Sequence, residues 1–345
     1  MAPTSSGAGA VLELPSLAGA VAYLRSIQDP FIELGVALNL DDASEAAVAP
    51  IREAVAESSL VKRALATQRS DGSWGEHDRA AGRILPTLWM AKALAELGVG
   101  AFHPGWDRAA GFLATTAHTD GGVFSISGHR DGVLSCYVGI AASMYGQAGR
   151  RDLAEPQVDW ILRHQDVASK GSRLRPDTPQ EWEPHLAKRY GGCMAQTTCL
   201  VGVVRTAQAI LGWANTKPAA GELIGSMREA FLERNVIYRS SGGVIPLSVV
   251  PAKAESWLMP AWPLDWRIDL IEVLAFLGRS GPPDGRMQDA VDRLVSFRLP
   301  DGTWPLRRTY RPQYLDLLER RSRRRGSPMI TLRAVTALCA LGATG

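Results

Sequence analysis

Long apolar runs, cysteine pairs and a large net charge are all missing from this sequence of 345 residues. No uninterrupted apolar stretch is long enough to span a bilayer as a helix. The 4 cysteines form no CxxC pair, which excludes a small disulfide-rich scaffold. The formal charge of +3 is too small for a surface that binds nucleic-acid phosphates, so we expect no nucleic acid partner.

The beginning of the chain lacks the basic segment and apolar stretch of a secretion signal. We therefore expect a soluble, cytoplasmic protein. Residues 1–14 are rich in small residues and proline, and we expect a disordered tail there. Residues 320–325 form the strongest basic run. A solvated loop is the simpler interpretation, and contact with an anionic ligand or with a membrane surface is the alternative.

The informative feature that is present is an internal repeat of roughly 45 to 60 residues. Each repeat has an amphipathic helix, a Gly-rich turn and a more uniformly apolar helix. The turns lie at residues 71–74, 120–124, 241–245 and 301–304. A helix that is apolar all round is buried, whereas a striped helix has one wet face. The pattern predicts one all-α domain over residues 15–345, an α/α-toroid of five to six helical hairpins with an inner and an outer ring.

The turn residues suit a structural role. Gly72 and Gly302 allow backbone geometry that other residues tolerate poorly. Asp71 can accept hydrogen bonds from neighbouring backbone N–H groups. We expect Trp74 and Trp304 to cover the hairpin joints, with each indole N–H bonded to a carbonyl.

The motif Gln68-x-x-Asp71-Gly72-Ser73-Trp74 resembles the QW motif of squalene-hopene and oxidosqualene cyclases. Residues 297–304 are a second copy that lacks the leading Gln. Residues 266–341 also resemble bacterial stand-alone prenyltransferase/squalene-oxidase-repeat proteins. This resemblance to the terpenoid cyclase and protein prenyltransferase superfamily implies a toroid with a central cavity and a small hydrophobic substrate. It specifies the fold better than the reaction, because such toroids host several activities.

The sequence departs from that superfamily at its catalytic motifs. The DxDD acid motif of class II cyclases is absent, and no Asp, Cys and His set matches the zinc site of protein prenyltransferases. Residues 41–45 come close to a DDxxD metal motif, but Asp42 or Ser44 also suits the N-cap of a following helix. We therefore expect no metal and no cofactor.

Asp265 and Asp269 are the strongest candidates for catalysis. If a helix contains both, their i, i+4 spacing places the two carboxylates on one face. Proximity and burial would then raise the affinity of one carboxylate for a proton. We assign Asp269 as proton donor and Asp265 as its partner, and expect Asp269→Asn to leave the thermal midpoint nearly unchanged. The alternative is that Asp265 caps the helix and Asp269 pairs with Arg267, Arg333 or another cation.

A second candidate pair is His129 and Asp131, which could work as acid and base. The alternative is a surface loop in which Asp131 is a helix N-cap. Substrate contacts are expected from aromatic side chains, whose faces stabilise cations, and from nearby polar residues. The predicted substrate-binding set is Trp266, Trp262, Trp257, Tyr137, Trp89, Cys136, Gln196 and Arg333.

The insertion at residues 171–191 is long enough to cover the mouth of a ring, so a lid is a plausible role for it. Three functions remain open from the sequence. The favoured one is acid-initiated cyclisation or isomerisation of a hydrophobic, terpenoid-like substrate. The others are a non-catalytic toroid that binds a lipid or a partner, and a carbohydrate-active α/α-barrel lyase or hydrolase.

Overall fold

A computed structural model describes residues 11–168, 171–174, 199–239, 243–245, 255–310 and 325–344. These residues form thirteen α-helices, one β-hairpin and short 3₁₀ turns. The helices are α1 (Ala18–Arg25), α2 (Pro30–Asn39), α3 (Glu45–Ala56), α4 (Ser59–Ala66), α5 (Ala80–Glu96), α6 (Pro104–Thr116), α7 (Ser135–Gln147), α8 (Arg151–His164), α9 (Leu200–Ile210), α10 (Pro218–Leu232), α11 (Leu270–Arg279), α12 (Gln288–Val295) and α13 (Pro328–Ala340). This helical content is consistent with the predicted all-α toroid.

Among the described residues, the β-hairpin was not predicted from the sequence. Strands β1 (Gln165–Ala168) and β2 (Gly171–Leu174) pair antiparallel directly after α8. Among the described residues, no helix is both long and apolar enough to cross a bilayer.

The chain forms two compact units. The central unit comprises residues 52–224, and the terminal unit comprises residues 1–51 and 225–345. The prediction of one single domain over residues 15–345 stays a prediction. Glu13, inside the expected N-terminal tail, already exchanges backbone hydrogen bonds with the Gln288 side chain in the terminal unit.

Burial separates two kinds of helix in the central unit. In α7 nearly every residue from Ser135 to Tyr145 is buried, and α5 and α9 are similarly enclosed. In α8 only a stripe is buried, which includes Val158 and Ile161. Helix α7 packs between α8 and α9, and it also contacts α5. The predicted alternation of enclosed and one-sided helices is confirmed for this unit.

The terminal unit is built around α13, which packs against α1, α2 and α11. A methyl group on Gly35 of α2 would lie 2.2 Å from a Leu332 side-chain carbon, so these two helices meet closely there. Helix α12 is striped, with Val291 and Leu294 buried. The Leu17 N–H donates to the Thr344 carbonyl over 3.1 Å, which joins the two ends of the described chain.

The repeated turns have the same hydrogen bonds in both units. We call residues 68–74 the Trp74 loop and residues 298–304 the Trp304 loop. In the Trp74 loop, the N–H of Arg69 donates to the Ser73 carbonyl over 2.9 Å. In the Trp304 loop, the N–H of Leu299 donates to the Thr303 carbonyl over 2.8 Å. Residues 119 and 123, and residues 239 and 243, repeat this bond.

Each tryptophan closes its loop as predicted. The indole N–H of Trp74 donates to the Ala64 carbonyl and that of Trp304 to the Leu294 carbonyl, both over 2.9 Å. The backbone N–H of each tryptophan donates over 3.0 Å to a threonine hydroxyl on the following enclosed helix, Thr87 for Trp74 and Thr331 for Trp304. Each loop therefore joins three pieces of chain around a buried indole.

Candidate functional site

Asp269 is the N-cap of α11, and its side chain has no solvent exposure (0%). One carboxylate oxygen, Oδ1, accepts a hydrogen bond from the Glu272 N–H over 3.0 Å, which satisfies a free donor in the first turn of the helix. The other oxygen, Oδ2, accepts from the Ala261 N–H over 3.0 Å. The carboxylate therefore joins the helix start to an extended segment eight residues earlier.

Arg333 on α13 completes the environment of this carboxylate. Its guanidinium donates to Oδ2 over 2.9 Å and to Oδ1 over 3.0 Å, and it also donates to the Ala261 carbonyl. Each oxygen of Asp269 thus accepts two N–H groups, so all of its lone-pair positions are used. Burial raises the pKa of Asp269, while the Arg333 charge and its hydrogen bonds act in the opposite direction.

Asp265 does not lie on the same helix as Asp269, so the predicted arrangement on one helix face is wrong. Helix α11 begins only at Leu270, and residues 265–269 precede it. Asp265 is 1% exposed and accepts hydrogen bonds from the backbone N–H and the guanidinium of Arg267. It therefore does not cap the helix either, because Asp269 occupies that position.

Arg267, which is bonded to Asp265, also lies against two aromatic rings. Its guanidinium carbon lies 4.7 Å from the ring centroid of Trp266 and 4.9 Å from that of Tyr310. Planar guanidinium groups stack on aromatic faces in this way. The pKa of Tyr310 is raised, because the effect of burial outweighs the lowering by a hydrogen bond with Ser256 and by nearby arginine charges.

The segment before Tyr310 runs beside the segment that contains Trp262. The Trp262 N–H donates to the Arg308 carbonyl over 3.0 Å, and residues 261 and 308 form an isolated parallel bridge. Arg308 and Tyr310 were not predicted from the sequence. Neither residue belongs to a recognisable motif, and both come to the site through backbone pairing with residues far away in the chain.

Two of the predicted substrate-binding tryptophans are deeply buried in the terminal unit. Trp257 is 3% exposed and Trp262 is 4% exposed. The Trp257 indole N–H donates to the Ile245 carbonyl over 2.8 Å, so that ring is fixed in orientation. Trp266 is half-buried and faces Arg267.

The central unit brings a different set of candidates together. Trp89 on α5 and Tyr137 on α7 are both buried, with ring centroids 5.7 Å apart. Cys136, next to Tyr137, is also buried. Trp89 lies two residues after Thr87, just as Arg333 lies two residues after Thr331. The two loops therefore place an aromatic residue and a cation at equivalent positions.

The His129 and Asp131 hypothesis gains little from the structure. His129 is exposed, and its carbonyl accepts the Ser125 hydroxyl over 2.5 Å in a tight loop. Asp131 lies in a 3₁₀ turn, Arg130–Gly132. The expected capping role of Asp131 is wrong, because the N-cap position of α7 is Leu134.

Several predicted features fall outside the described residues. They are Gln196, most of the insertion at 171–191, and residues 320–324 of the basic run. Within the described ranges, no group of three His, Cys, Asp or Glu side chains is placed to hold a metal ion. The near-match to a metal motif at residues 41–45 leads into α3, which begins at Glu45, and Asp41 pairs with Arg25 over 2.8 Å.

His118 in the central unit is a titratable group that the sequence did not single out. Its Nε2 lies 3.0 Å from the Tyr145 hydroxyl, and its ring contacts those of Phe124 and Tyr145 edge-on. Burial lowers the pKa of His118 to about 4. The imidazole is therefore neutral at pH 7 and belongs to the packing of this unit.

The chain matches no protein-family model and no curated protein sequence. Two solved structures of variants of the type II terpene cyclase MstE from Scytonema are similar to it. One, with the product merosterolic acid A, covers 81% of this chain and 94% of that chain at 15% identity and a TM-score of 0.32. The other, with the substrate geranylgeranyl dihydroxybenzoate, covers 82% and 95% at 16% identity and a TM-score of 0.34.

Proposed function

We propose that the chain is a terpene-cyclase-like enzyme that starts the cyclisation or isomerisation of a hydrophobic substrate by donating a proton from Asp269. The observation that supports this proposal is the complete burial of the Asp269 side chain. Burial favours the neutral, proton-carrying form of a carboxyl group. The buried rings of Trp257 and Trp262 lie on the same segment of chain and offer faces that stabilise a carbocation.

The hydrogen bonds of Asp269 must change before its carboxyl group can carry a proton. A proton on either oxygen needs one of the four N–H donors to withdraw. The donors from Ala261 and Glu272 belong to the backbone and are held in place, whereas the Arg333 side chain can shift. Arg333 also donates to the Ala261 carbonyl, so it keeps a partner when it releases a carboxyl oxygen.

The same arginine fits the step that follows. When the carboxylic acid O–H bond breaks, its proton forms a C–H bond with an alkene carbon of the substrate, and the neighbouring carbon becomes a cation. Asp269 is then a carboxylate, and the Arg333 guanidinium can return to it in the two-fold geometry of the present structure. Arg333 would thus stabilise the charge that develops on the acid.

A second candidate function, a non-catalytic toroid that binds a hydrophobic ligand, is favoured by the same geometry. A carboxylate whose lone pairs are all bonded to N–H groups is typical of a structural ion pair. The carbohydrate-active alternative fares worse. It needs exposed aromatic platforms and reachable carboxylates, whereas Trp257, Trp262 and Asp265 are almost fully buried.

The decisive experiment follows solvent hydrogen into the product. The protein is incubated in D₂O with polyprenyl substrates, and products are analysed by mass spectrometry. Acid initiation predicts cyclised or isomerised products that carry one deuterium from solvent. Asp269→Asn should abolish turnover, while Asp301→Asn, a carboxylate change in the Trp304 loop of the same unit, should retain it.

Folding is measured together with activity, because the hydrogen bonds of Asp269 contradict the expectation that Asp269→Asn leaves the thermal midpoint nearly unchanged. The amide NH₂ of Asn would face the N–H donors that now reach one carboxylate oxygen, so we expect a lowered thermal midpoint. Assays therefore run well below that midpoint, with circular dichroism as the check on fold. Full turnover by folded Asp269→Asn would rule out the acid role. Tight binding of the substrates without conversion by the wild type would favour the non-catalytic function.

A further inference from the structure

We propose that Gly35 on α2 is a positioning residue for the acid, because its contact with Leu332 sets where Arg333 on α13 meets Asp269. This proposal deepens the proposed function and rests on it for the role of Asp269 as proton donor. Helix α2 then takes part in controlling the proton, although the hydrogen bonds of Asp269 come from other segments of the chain.

Helices α2 and α13 approach each other closely at Gly35. A methyl group at this position would lie 2.2 Å from Cδ2 of Leu332 and 3.3 Å from its Cγ. Leu332 is only 7% exposed, so its side chain has little room to turn away. Glycine inside a helix weakens that helix relative to alanine. The glycine in α2 is therefore explained by the close approach of α13.

Helix α13 carries the contact from Leu332 to Arg333, the next residue. Successive side chains on an α-helix point about 100° apart, so the two residues face different neighbours. Leu332 meets α2, while the Arg333 guanidinium reaches the start of α11 and donates to both oxygens of Asp269, over 2.9 and 3.0 Å. A change in the seat of Leu332 therefore changes the position of the cation.

The other half of α13 is held against α11. A methyl group on Gly278 of α11 would lie 2.8 Å from the carbonyl carbon of Ala340, which is backbone. Helix α13 thus has no room to move closer to α11 when a larger residue replaces Gly35. The part of α13 that contains Leu332 has to turn or lift instead, and Arg333 moves with it.

The charges around Asp269 give the direction of the effect. The titratable and charged groups near it are Arg333 on α13, Glu272 on α11, Tyr310 after the Trp304 loop, and Asp265 with Arg267 before α11. Burial raises the pKa of Asp269, the Arg333 charge lowers it, and the Glu272 charge raises it. Displacing Arg333 should therefore increase the affinity of Asp269 for a proton.

The test observes the proton on Asp269 by infrared spectroscopy, without any substrate. The signal is the C=O band of a protonated carboxyl group that disappears in Asp269→Asn, and its pH midpoint measures the proton affinity. The test variant is Gly35→Ala. The matched control is Gly19→Ala on α1 of the same unit, where the added methyl would lie 3.8 Å from the nearest atom, the Asp301 carbonyl oxygen.

We expect Gly35→Ala to raise the proton affinity of Asp269 at least about tenfold, and Gly19→Ala to keep it within about twofold of the wild type. The double variant Gly35→Ala/Leu332→Ala removes the overlapping carbons and should restore the wild-type midpoint. Leu332→Ala alone should lower the thermal midpoint, because it leaves a cavity, but should not move the infrared midpoint. This pair of readouts separates the position of Arg333 from general stability.

The proposal is overturned if folded Gly35→Ala keeps the wild-type infrared midpoint, or if Gly19→Ala or Leu332→Ala shifts it equally. It is also overturned if Asp269→Asn removes no band. If Gly35→Ala does not fold, Gly35→Ala/Leu332→Val relieves part of the overlap and carries the same test with a smaller expected shift.

This experiment separates the two proposals. If folded Asp269→Asn kept full turnover, the acid role would fail, and the infrared midpoint would still show whether Gly35 positions Arg333. Conversely, deuterium incorporation that depends on Asp269 would stand if Gly35→Ala left the midpoint unchanged. In that case the contact between α2 and α13 would serve packing alone.

Discussion

The Trp74 loop and the Trp304 loop have the same backbone and different consequences. Both bond their tryptophan to a helix carbonyl and to a threonine on the next enclosed helix. Two residues beyond that threonine, the first helix carries Trp89, which meets Tyr137, and the second carries Arg333, which meets Asp269. The loop fixes where the helix starts, and the residue at this one position decides whether an apolar contact or an ion pair follows.

The largest effect on stability should come from removing the ion pair between Arg333 and Asp269. Arg333→Met leaves Asp269 buried without its cation, and we expect it to reduce the free energy of unfolding by about 3–5 kcal/mol. In a double-mutant cycle with Asp269→Asn, the two changes should therefore be strongly coupled. The equivalent cycle with Trp89→Leu and Tyr137→Leu should show a coupling of only about 1 kcal/mol.

Both cycles can be measured by urea denaturation. Equal coupling energies in the two units would show that the ion pair is no more important to folding than the aromatic contact. The kind of residue at positions 89 and 333, aromatic or cationic, would then make no difference to the stability that the contact contributes.

A somewhat smaller effect should appear in the pH dependence of the central unit. The pKa of His118 is about 4 in the folded chain, below its ordinary 6.5, because the ring is buried. The unfolded chain therefore binds a proton first, and stability is lost as the pH falls from about 6.5 to 4. The loss should be about 3 kcal/mol in full.

His118→Gln should remove that pH slope while retaining a polar partner for the Tyr145 hydroxyl. Thermal unfolding between pH 4 and 7 measures this slope, and an unchanged slope in the variant would assign it to other groups.

The contribution of Asp269 to stability depends on pH in the opposite direction. Its raised pKa makes its contribution to stability fall as the pH rises from 3.8 through the folded-state value. The two units should thus respond to pH in opposite directions through these groups.

The smallest effect distinguishes the two loops themselves. Gly72 and Gly302 both have positive φ, of 87° and 86°, so Ala strains either loop by about 1–2 kcal/mol. At Gly72 the added methyl would also lie 2.4 Å from the Arg108 carbonyl oxygen, which is backbone. At Gly302 the nearest atom, 3.1 Å away, is the end of the Arg298 side chain, which can move. Gly72→Ala should therefore lower the thermal midpoint more than Gly302→Ala, and equal shifts would contradict this.

Sequence reasoning performed well wherever the determinants are local. The turn glycines, the carboxylates that accept from the backbone two residues on, and the capping tryptophans all lie within short motifs. Their geometry is confirmed at Ser73 and Thr303, whose N–H groups donate to Asp71 and Asp301 over 3.1 and 3.0 Å. The periodicity of apolar residues likewise identified the enclosed and striped helices, because burial imposes that period directly.

The site was harder to predict because its contacts are distant in the chain. Arg333 reaches Asp269 across 64 positions, and only folding brings them together. The spacing of Asp265 and Asp269 predicted a shared helix face, but the helix starts after both residues because Asp269 caps it. Arg308 and Tyr310 follow the Trp304 loop without any motif, so only their pairing with residues 261 and 263 reveals them.

The bond between Leu17 and Thr344 has a consequence for the order of synthesis. The central unit is one continuous stretch of chain, residues 52–224. All of its residues are therefore made before residues 225–345 of the terminal unit. The terminal unit needs residues from both ends, and α1 and α2 must wait for α13 before their apolar faces are covered. On the ribosome, these first two helices are therefore exposed for longest, and they are the segments for which a chaperone would be most useful.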